Sequence, residues 1–330
     1  MSLEFTVFKG SVSGNIVEGK TQSNGPTGNE VLVRITHSGI CGTDDHGRNI
    51  DMVLGHEGVG VVQEIGDRVS QFRVGDVVGW GFTHKTCGRC EQCERGQDQY
   101  CANREQYGAA NLHQGSFASH AIWDASFLFL VPAGLAPEDA APLMCGGATV
   151  YNVIESYNIR PSDRVGVIGI GGLGHLAIQF LAKMGASPVV FSSTDSKRQE
   201  AMQLGATEFY ATQDVERFEM AKLDHLIITT SSMPNWKLFL DVIKPTGTIF
   251  PLTADTELKI PFLPILTQGI NIQGSLVASR SVHRRMLDFA ARHKIKPIIE
   301  RFPMTRNGVK EGMAKLHQGK MRYRGVLVAQ

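Results

Sequence analysis

Val165-Gly166-Val167-Ile168-Gly169-Ile170-Gly171-Gly172-Leu173-Gly174 runs from an apolar segment into a G-x-G-x-x-G turn. The apolar residues predict a buried strand. Leu176, Phe180, Leu181 and Met184 then recur at helical spacing, which predicts a helix over Leu173–Met184. Each glycine has a physical task in such a turn. Gly169 permits the tight bend, Gly171 lets a pyrophosphate approach the backbone, and Gly174 lets the helix pack closely on the strand. Gly172 and Leu173 complete the turn, and free N–H groups at the helix N-terminus favour the phosphates. Further along, Val189–Phe191 is apolar, Lys197–Leu204 has helical spacing, and Leu226–Thr229 and Thr248–Leu252 are strand-like. Alternating strands and helices predict an α/β region with a parallel sheet covered on both faces. The turn in that setting predicts a dinucleotide site.

The end of the second strand selects the dinucleotide. Sites for NAD place a carboxylate there to bond the ribose 2′-hydroxyl. This chain has Ser192-Ser193-Thr194, followed by Lys197 and Arg198. Hydroxyls and cations suit a 2′-phosphate, so NADP(H) is expected. Asp195 is read as the cap of a helix beginning at Ser196.

The flanking sequence has a different texture. From residue 1 to about 135 the apolar residues alternate, as in Val31, Val33 and Ile35, or lie between glycines, as do Val59, Val61, Val77 and Val78. Short strands with tight turns follow from that pattern. After about residue 275 the texture is mixed, with a helix expected over Ser281–His293. The chain therefore reads as a β-rich lobe, an inserted α/β lobe and a return.

Composition narrows the function. Thirty-three Lys and Arg against 32 Asp and Glu leave a net charge of +1, without the basic excess of a nucleic-acid or anionic-membrane binder. No apolar run approaches the ~18 residues of a membrane span; the longest, Phe127–Val131, stops at Pro132. Residues 1–14 hold no apolar core flanked by basic residues, so no secretory leader is expected. Six cysteines in 330 residues are too sparse for a disulfide scaffold, and a reduced cytoplasmic protein is the expectation.

Four of the six fall in one window, Cys87-x-x-Cys90-x-x-Cys93, then seven residues, then Cys101. Four thiolates complete a tetrahedral Zn²⁺, and a site with no open position is structural. Around this loop Lys85, Arg89, Arg95 and Arg104 are offset by Glu91, Glu94, Asp98 and Glu105, which leaves no phosphate-binding face. The remaining two are Cys41, in Gly39-Ile40-Cys41-Gly42-Thr43-Asp44, and Cys145, in Met144-Cys145-Gly146-Gly147. Gly55-His56-Glu57-Gly58 lies between them. Two thiolates and one imidazole would form a zinc site with an open fourth position, although spacing alone leaves open whether these three converge. A lone buried Cys otherwise behaves as a small hydrophobe.

These motifs, in this order, resemble the zinc-dependent medium-chain alcohol dehydrogenases, and most closely their NADP-dependent, cinnamyl-alcohol-dehydrogenase-like branch. The likeness spans nearly the whole chain and includes Ser38–Asp44, Gly55-His56-Glu57, the four-cysteine loop, Pro142–Cys145, Gly169–His175 and Arg322-Tyr323-Arg324. It implies a GroES-like catalytic domain from residues 1–148 and 278–330, around a Rossmann doubly wound domain at 149–277. It implies two zinc ions per chain, the catalytic one on Cys41, His56 and Cys145. Glu57 matches a glutamate able to replace water on that metal, and Asp44 a carboxylate that orients His56. Thr43 and His46 match a proton relay, and Arg324 a contact to the cofactor pyrophosphate. The implied chemistry is hydride transfer between nicotinamide C4 and a carbonyl polarised by zinc, on a small aldehyde or alcohol. Homodimers or tetramers are implied as well.

One segment departs from the family pattern. Gly47–Met52 links the Cys41 and His56 motifs with fewer residues than relatives use, which predicts a wider pocket mouth, with Arg48 and Asp51 read as either pocket or solvated residues. Phe82, Trp80 and Ile272 are read as either pocket lining or core. The competing reading is a reductase of conjugated alkenes or iminium bonds. A scaffold without catalysis is opposed by the complete ligand set.

Overall fold

A computed structural model of the chain describes residues 3–329. The chain divides into two compact units, Met1–Ala148 with Val277–Gln330, and Thr149–Leu276. The second seam lies one residue ahead of the 277/278 boundary read from the sequence.

In the unit Thr149–Leu276, six strands form one parallel sheet: Arg164–Ile168, Ser187–Ser192, Glu208–Ala211, Leu223–Ile228, Ile243–Pro251 and Asn271–Ile272. Counted along the chain, they lie in the order 3-2-1-4-5-6. Consecutive residues such as Val189, Val190 and Phe191, or Leu226, Ile227 and Ile228, are fully buried. Burial of neighbours that point to opposite faces means that both faces of the sheet are covered. The order reverses between the first and fourth strands, which leaves a crevice at their carboxyl ends.

The helix Gly174–Met184 follows the glycine turn and ends at Gly185, whose φ of 99° places it in the left-handed region. The next helix begins later than the sequence suggests. A single 3₁₀ turn occupies Asp195–Lys197, and the α-helix covers Arg198–Leu204. Asp195 does not cap it; its Oδ1 accepts from Arg198 at 2.8 Å.

In the unit built from both chain ends, a seven-stranded sheet joins distant segments. Ile299–Pro303 pairs with Arg324–Val328, which pairs with Glu30–Ile40; then come Gly58–Ile65, Val77–Trp80 and Phe129–Leu130, while His120–Asp124 pairs onto Glu30–Ile40. Val31, Val33 and Ile35 share one buried cluster with Val62, Val78 and Trp80, but Leu32 lies in the same cluster, so this stretch of the strand is buried without alternation. Helix Arg280–His293 starts where Ser279 Oγ accepts the N–H of Val282. Among the described residues no helix is long and apolar enough to cross a membrane.

Candidate active site

Strand Glu30–Ile40 ends at Cys41, which caps the short helix Gly42–Gly47. Asp44, at the third position of that helix, is fully buried. Its Oδ2 accepts the Cys41 N–H at 2.8 Å, and its Oδ1 lies 2.8 Å from His56 Nδ1. One carboxylate therefore fixes the backbone of one candidate ligand and the ring of another.

His56 enters from a turn that only glycine allows. Gly55 has a φ of 89°, and a side chain there would stand 2.3 Å from Phe117. With Nδ1 on Asp44, the other ring nitrogen of His56 is buried and has no protein partner. Oε2 of Glu57 is in the same condition. Cys145 lies on a π-turn, Leu143–Gly147, a helical irregularity frequent at functional sites. Donor atoms of Cys41, His56, Glu57 and Cys145 all lie within 4.8 Å of one another.

The local field acts on these donors in opposite directions. Hydrogen bonding from Cys145, helped by His56, holds the Cys41 thiol well below its ordinary range. That favours thiolate, the form that binds metal. Burial would lower His56, but the Asp44 carboxylate overrides it and holds the imidazole well above its usual value. Burial pushes Glu57 up to about 7 even against the opposing charge of Arg324. A side chain on Gly39 would stand 1.9 Å from Glu57 Oε2, so glycine there makes room for the carboxylate. An unpartnered buried imidazole nitrogen between two thiols is a soft, three-donor set that fits Zn²⁺.

The four-cysteine loop also converges. Cys90 and Cys93 Sγ stand 3.5 Å apart, and Cys87 and Cys101 Sγ stand 3.6 Å apart. Two sulfurs each ~2.3 Å from a tetrahedral zinc would be about 3.8 Å apart, so this cluster fits the ion as well. Within the loop, the backbone N–H of Arg89 leads the effects that lower Cys87 to about 6. Buried Asp98 anchors the loop by accepting from Arg280, at the start of helix Arg280–His293.

Thr43 Oγ1 lies 3.7 Å from Cys41 Sγ, and His46, one turn further along the helix, is exposed. Arg324 is buried and donates to Glu57. The polar side chains of the segment Gly47–Met52 are engaged with Asp45 and the N-terminal segment. Arg48 pairs with Asp45 and bonds the carbonyl of Gly14, and Asp51 pairs with Lys9. Trp80 is fully buried core and Ile272 lies on the edge strand of the other unit, whereas the Phe82 ring stands 5.9 Å from that of His56.

In the unit Thr149–Leu276 a cavity of about 700 Å³ lies at the strand ends. Gly169, Gly171, Ser192, Ser193 and Lys197 line it. A side chain on Gly171 would meet only open space, whereas one on Gly174 would stand 1.9 Å from the carbonyl of Gly169. The first glycine leaves room for a ligand and the second for the turn itself. Lys197 Nζ reaches across the turn to the carbonyl of Ile170 at 2.8 Å. Leu173 is the residue from which helix Gly174–Met184 starts, with Gly172 just before it. Thr194 is exposed and bonds Ser196, outside the lining. Arg198 is held by Asp195, by the carbonyl of Phe209 and over its ring, so it belongs to the helix surface. Thr212, Asp214 and Thr229 also line the cavity and escaped the sequence reading. They follow the third and fourth strands, and only the sheet order brings them to the glycine turn.

Residues 27–133 match the alcohol dehydrogenase GroES-like domain, and residues 172–292 match the zinc-binding dehydrogenase family. The chain belongs to the zinc-binding alcohol dehydrogenases, an oxidoreductase family with a GroES-like and a Rossmann-like domain. It is 32% identical to NADP-dependent alcohol dehydrogenase C 1 of Mycolicibacterium smegmatis, over 90% of each chain. It is 34% identical to the aldehyde reductase AdhA of Synechocystis, over 91% of each. A cinnamyl alcohol dehydrogenase structure from Sorghum bicolor superposes with a TM-score of 0.91 at 31% identity, covering 99% of this chain and 98% of that one.

Proposed function

We propose that this protein is an NADP(H)-dependent zinc alcohol dehydrogenase that reduces small aldehydes and, in reverse, oxidises primary alcohols. The observation that carries the reading is the meeting of Cys41, Cys145 and the unpartnered nitrogen of His56 within 4.8 Å. When bound, zinc there polarises a carbonyl and NADP(H) exchanges hydride with its carbon. Asp44 holds His56 as a ligand, and Arg324 holds Glu57 beside the metal position. Thr43 carries the proton that the product alcohol gains, and exposed His46 exchanges it with solvent.

A second zinc occupies Cys87, Cys90, Cys93 and Cys101, giving two per chain. Gly169, Gly171, Gly172, Leu173 and Gly174 take the pyrophosphate. Ser192, Ser193 and Lys197, with Thr194 at the rim, take the 2′-phosphate, supported by the absence of a carboxylate at the end of strand Ser187–Ser192. Free thiols at all six cysteines suit a cytoplasmic protein. Self-association as a dimer or tetramer is supported by the unit Thr149–Leu276. It carries the short edge strand Asn271–Ile272 and exposes Phe262, Leu263 and Leu266 on helix Phe262–Gln268. Nucleic acid and membrane are not partners in this reading.

The test is a panel of aliphatic, aromatic and α,β-unsaturated aldehydes with NADPH, with products identified. Alcohols with the double bond intact support the reading; saturated aldehydes would replace it with alkene reduction.

A further inference from the structure

Gly39 lies two positions before Cys41, on a strand inside the seven-stranded sheet, and is buried. Its strand, Glu30–Ile40, is flanked by Arg324–Val328 on one side and Gly58–Ile65 on the other. Gly39 stands opposite Val326 in the first pairing, and its N–H bonds the carbonyl of Glu57 at 3.0 Å. The Glu57 side chain folds over the bare α-carbon of Gly39. A methyl group there would collide with Oε2 and stand 2.9 Å from Cδ and 3.0 Å from Cβ of Glu57. All three nearest atoms belong to that one side chain, so the space that a side chain at 39 would fill is the space that the carboxylate uses.

Glu57 has a second hold. Its Oε1 accepts from Arg324, whose side chain is buried. Oε2, the oxygen beside Gly39, has no protein partner. A carboxylate oxygen of Glu57 also lies within 4.8 Å of donor atoms of Cys41, His56 and Cys145. The carboxylate is therefore a fourth donor beside a three-donor set. Four protein donors close a zinc site, and three leave the position that a substrate needs. Whatever holds Glu57 back decides which kind of site this is. Alanine at 39 removes the space for Oε2. The backbone there is held by both neighbouring strands, whereas a glutamate side chain turns about its own single bonds. The carboxylate is the part that moves, and Arg324 already fills the side of Oε1.

We propose that Gly39 is a positioning residue: its bare α-carbon gives the Glu57 carboxylate a place to rest away from the metal and so keeps the fourth position open to substrate. The proposal rests on the zinc reading of Cys41, His56 and Cys145 and deepens it. With alanine at 39, the carboxylate takes the fourth position and competes with any incoming ligand. A carboxylate that occupies the position about nine-tenths of the time weakens such a ligand about tenfold, because only the open fraction binds it.

The experiment compares full-length wild type, Gly39→Ala, Glu57→Gln and the double variant. Each is measured for zinc content, circular dichroism, the visible spectrum after Co²⁺ replacement, and the Kd of imidazole titrated against that spectrum. Gly39→Ala should keep both zinc ions and the wild-type circular dichroism. Its Co²⁺ bands should be shifted before any imidazole is added, and it should bind imidazole about tenfold more weakly, with kcat lowered as well. The double variant should return to the imidazole Kd of Glu57→Gln, because a neutral amide is a poor competitor for the metal. Unchanged bands or an unchanged Kd in Gly39→Ala, or a double variant as weak as Gly39→Ala, would overturn the proposal. Loss of the fold or of a zinc ion in Gly39→Ala would also overturn it, by making Gly39 a packing residue. Wild-type metal content separates the two readings. A single zinc per chain removes the catalytic zinc assignment itself, whereas two zinc ions with an unaltered Gly39→Ala remove only the role of Gly39.

Discussion

Glu57 and Arg324, 267 positions apart, form an ion pair in which neither side chain is more than 6% exposed. The pair joins the segment that carries His56 to the final strand, Arg324–Val328, and so ties the candidate metal site to the return of the chain. Neither charge is tolerable alone in that setting, because an unpaired buried charge has lost its hydration without compensation. Arg324→Met should therefore destabilise the unit by about 3 kcal/mol, read from urea unfolding followed by tryptophan fluorescence. A change under about 0.5 kcal/mol, the range of an ordinary surface substitution, would show that the pair is dispensable.

The two cysteine clusters should be chemically independent. Cys145→Ser or His56→Ala should lower the zinc content from two ions to one and reduce kcat by at least about a thousandfold, since several kcal/mol of charge stabilisation are lost. Cys93→Ser should also remove one zinc, but from the loop that Asp98 anchors to Arg280. Its main effect should be a lower Tm. Metal analysis beside steady-state kinetics checks both, and full turnover in metal-depleted His56→Ala would exclude zinc catalysis.

Two neighbouring cations should behave differently toward the cofactor. Lys197 lines the cavity beside the glycine turn, whereas Arg198 is held by Asp195 and Phe209. Lys197→Ala should raise KM for NADPH about tenfold, the scale of one charge-assisted hydrogen bond, and leave NADH nearly unaffected. Arg198→Ala should change neither. Equal losses with both cofactors in Lys197→Ala would place the lysine away from the 2′-phosphate.

His283 supplies a pH dependence of stability. Its ring is stacked on Phe129 at 4.0 Å between centroids, and burial lowers its pKa from 6.5 to about 3. The unfolded chain thus takes up a proton below pH 6.5 that the folded chain refuses until about pH 3. Stability from this residue is intact above pH 6.5 and is lost as pH falls through that window. At pH 5 the loss is about 2 kcal/mol. Urea midpoints measured from pH 7.5 to 5 should fall, and His283→Phe, which keeps the aromatic stack, should flatten the slope. Identical slopes in the two proteins would mean that His283 is protonated in the fold.

Much of this was legible along the chain because the relevant interactions are local. The strand, glycine turn and helix at 164–184 are set by residues within twenty positions of one another. The start of the following helix was misplaced because Asp195 has two acceptable partners in sequence, the helix N-terminus and Arg198, and the ion pair won. For the segment at 47–52 the sequence leaves Arg48 and Asp51 open between pocket and solvent, because nothing local announces that Lys9 and Gly14 will take up Asp51 and Arg48.

The sequence by itself determined the dinucleotide turn and the four-cysteine loop, since glycine conformation and the spacing of Cys87, Cys90, Cys93 and Cys101 depend on short-range geometry. Tertiary structure alone decided that Cys41, His56 and Cys145 meet, that Arg324 rests on Glu57, and that the Tyr107 ring packs beside His56. Strand pairing between the chain ends, with Gly325 opposite Ile40 and Ser38 opposite Gly58, brings those segments together. Such pairing is fixed by the burial of whole sheet faces, a property of the assembled unit that no stretch of sequence carries alone.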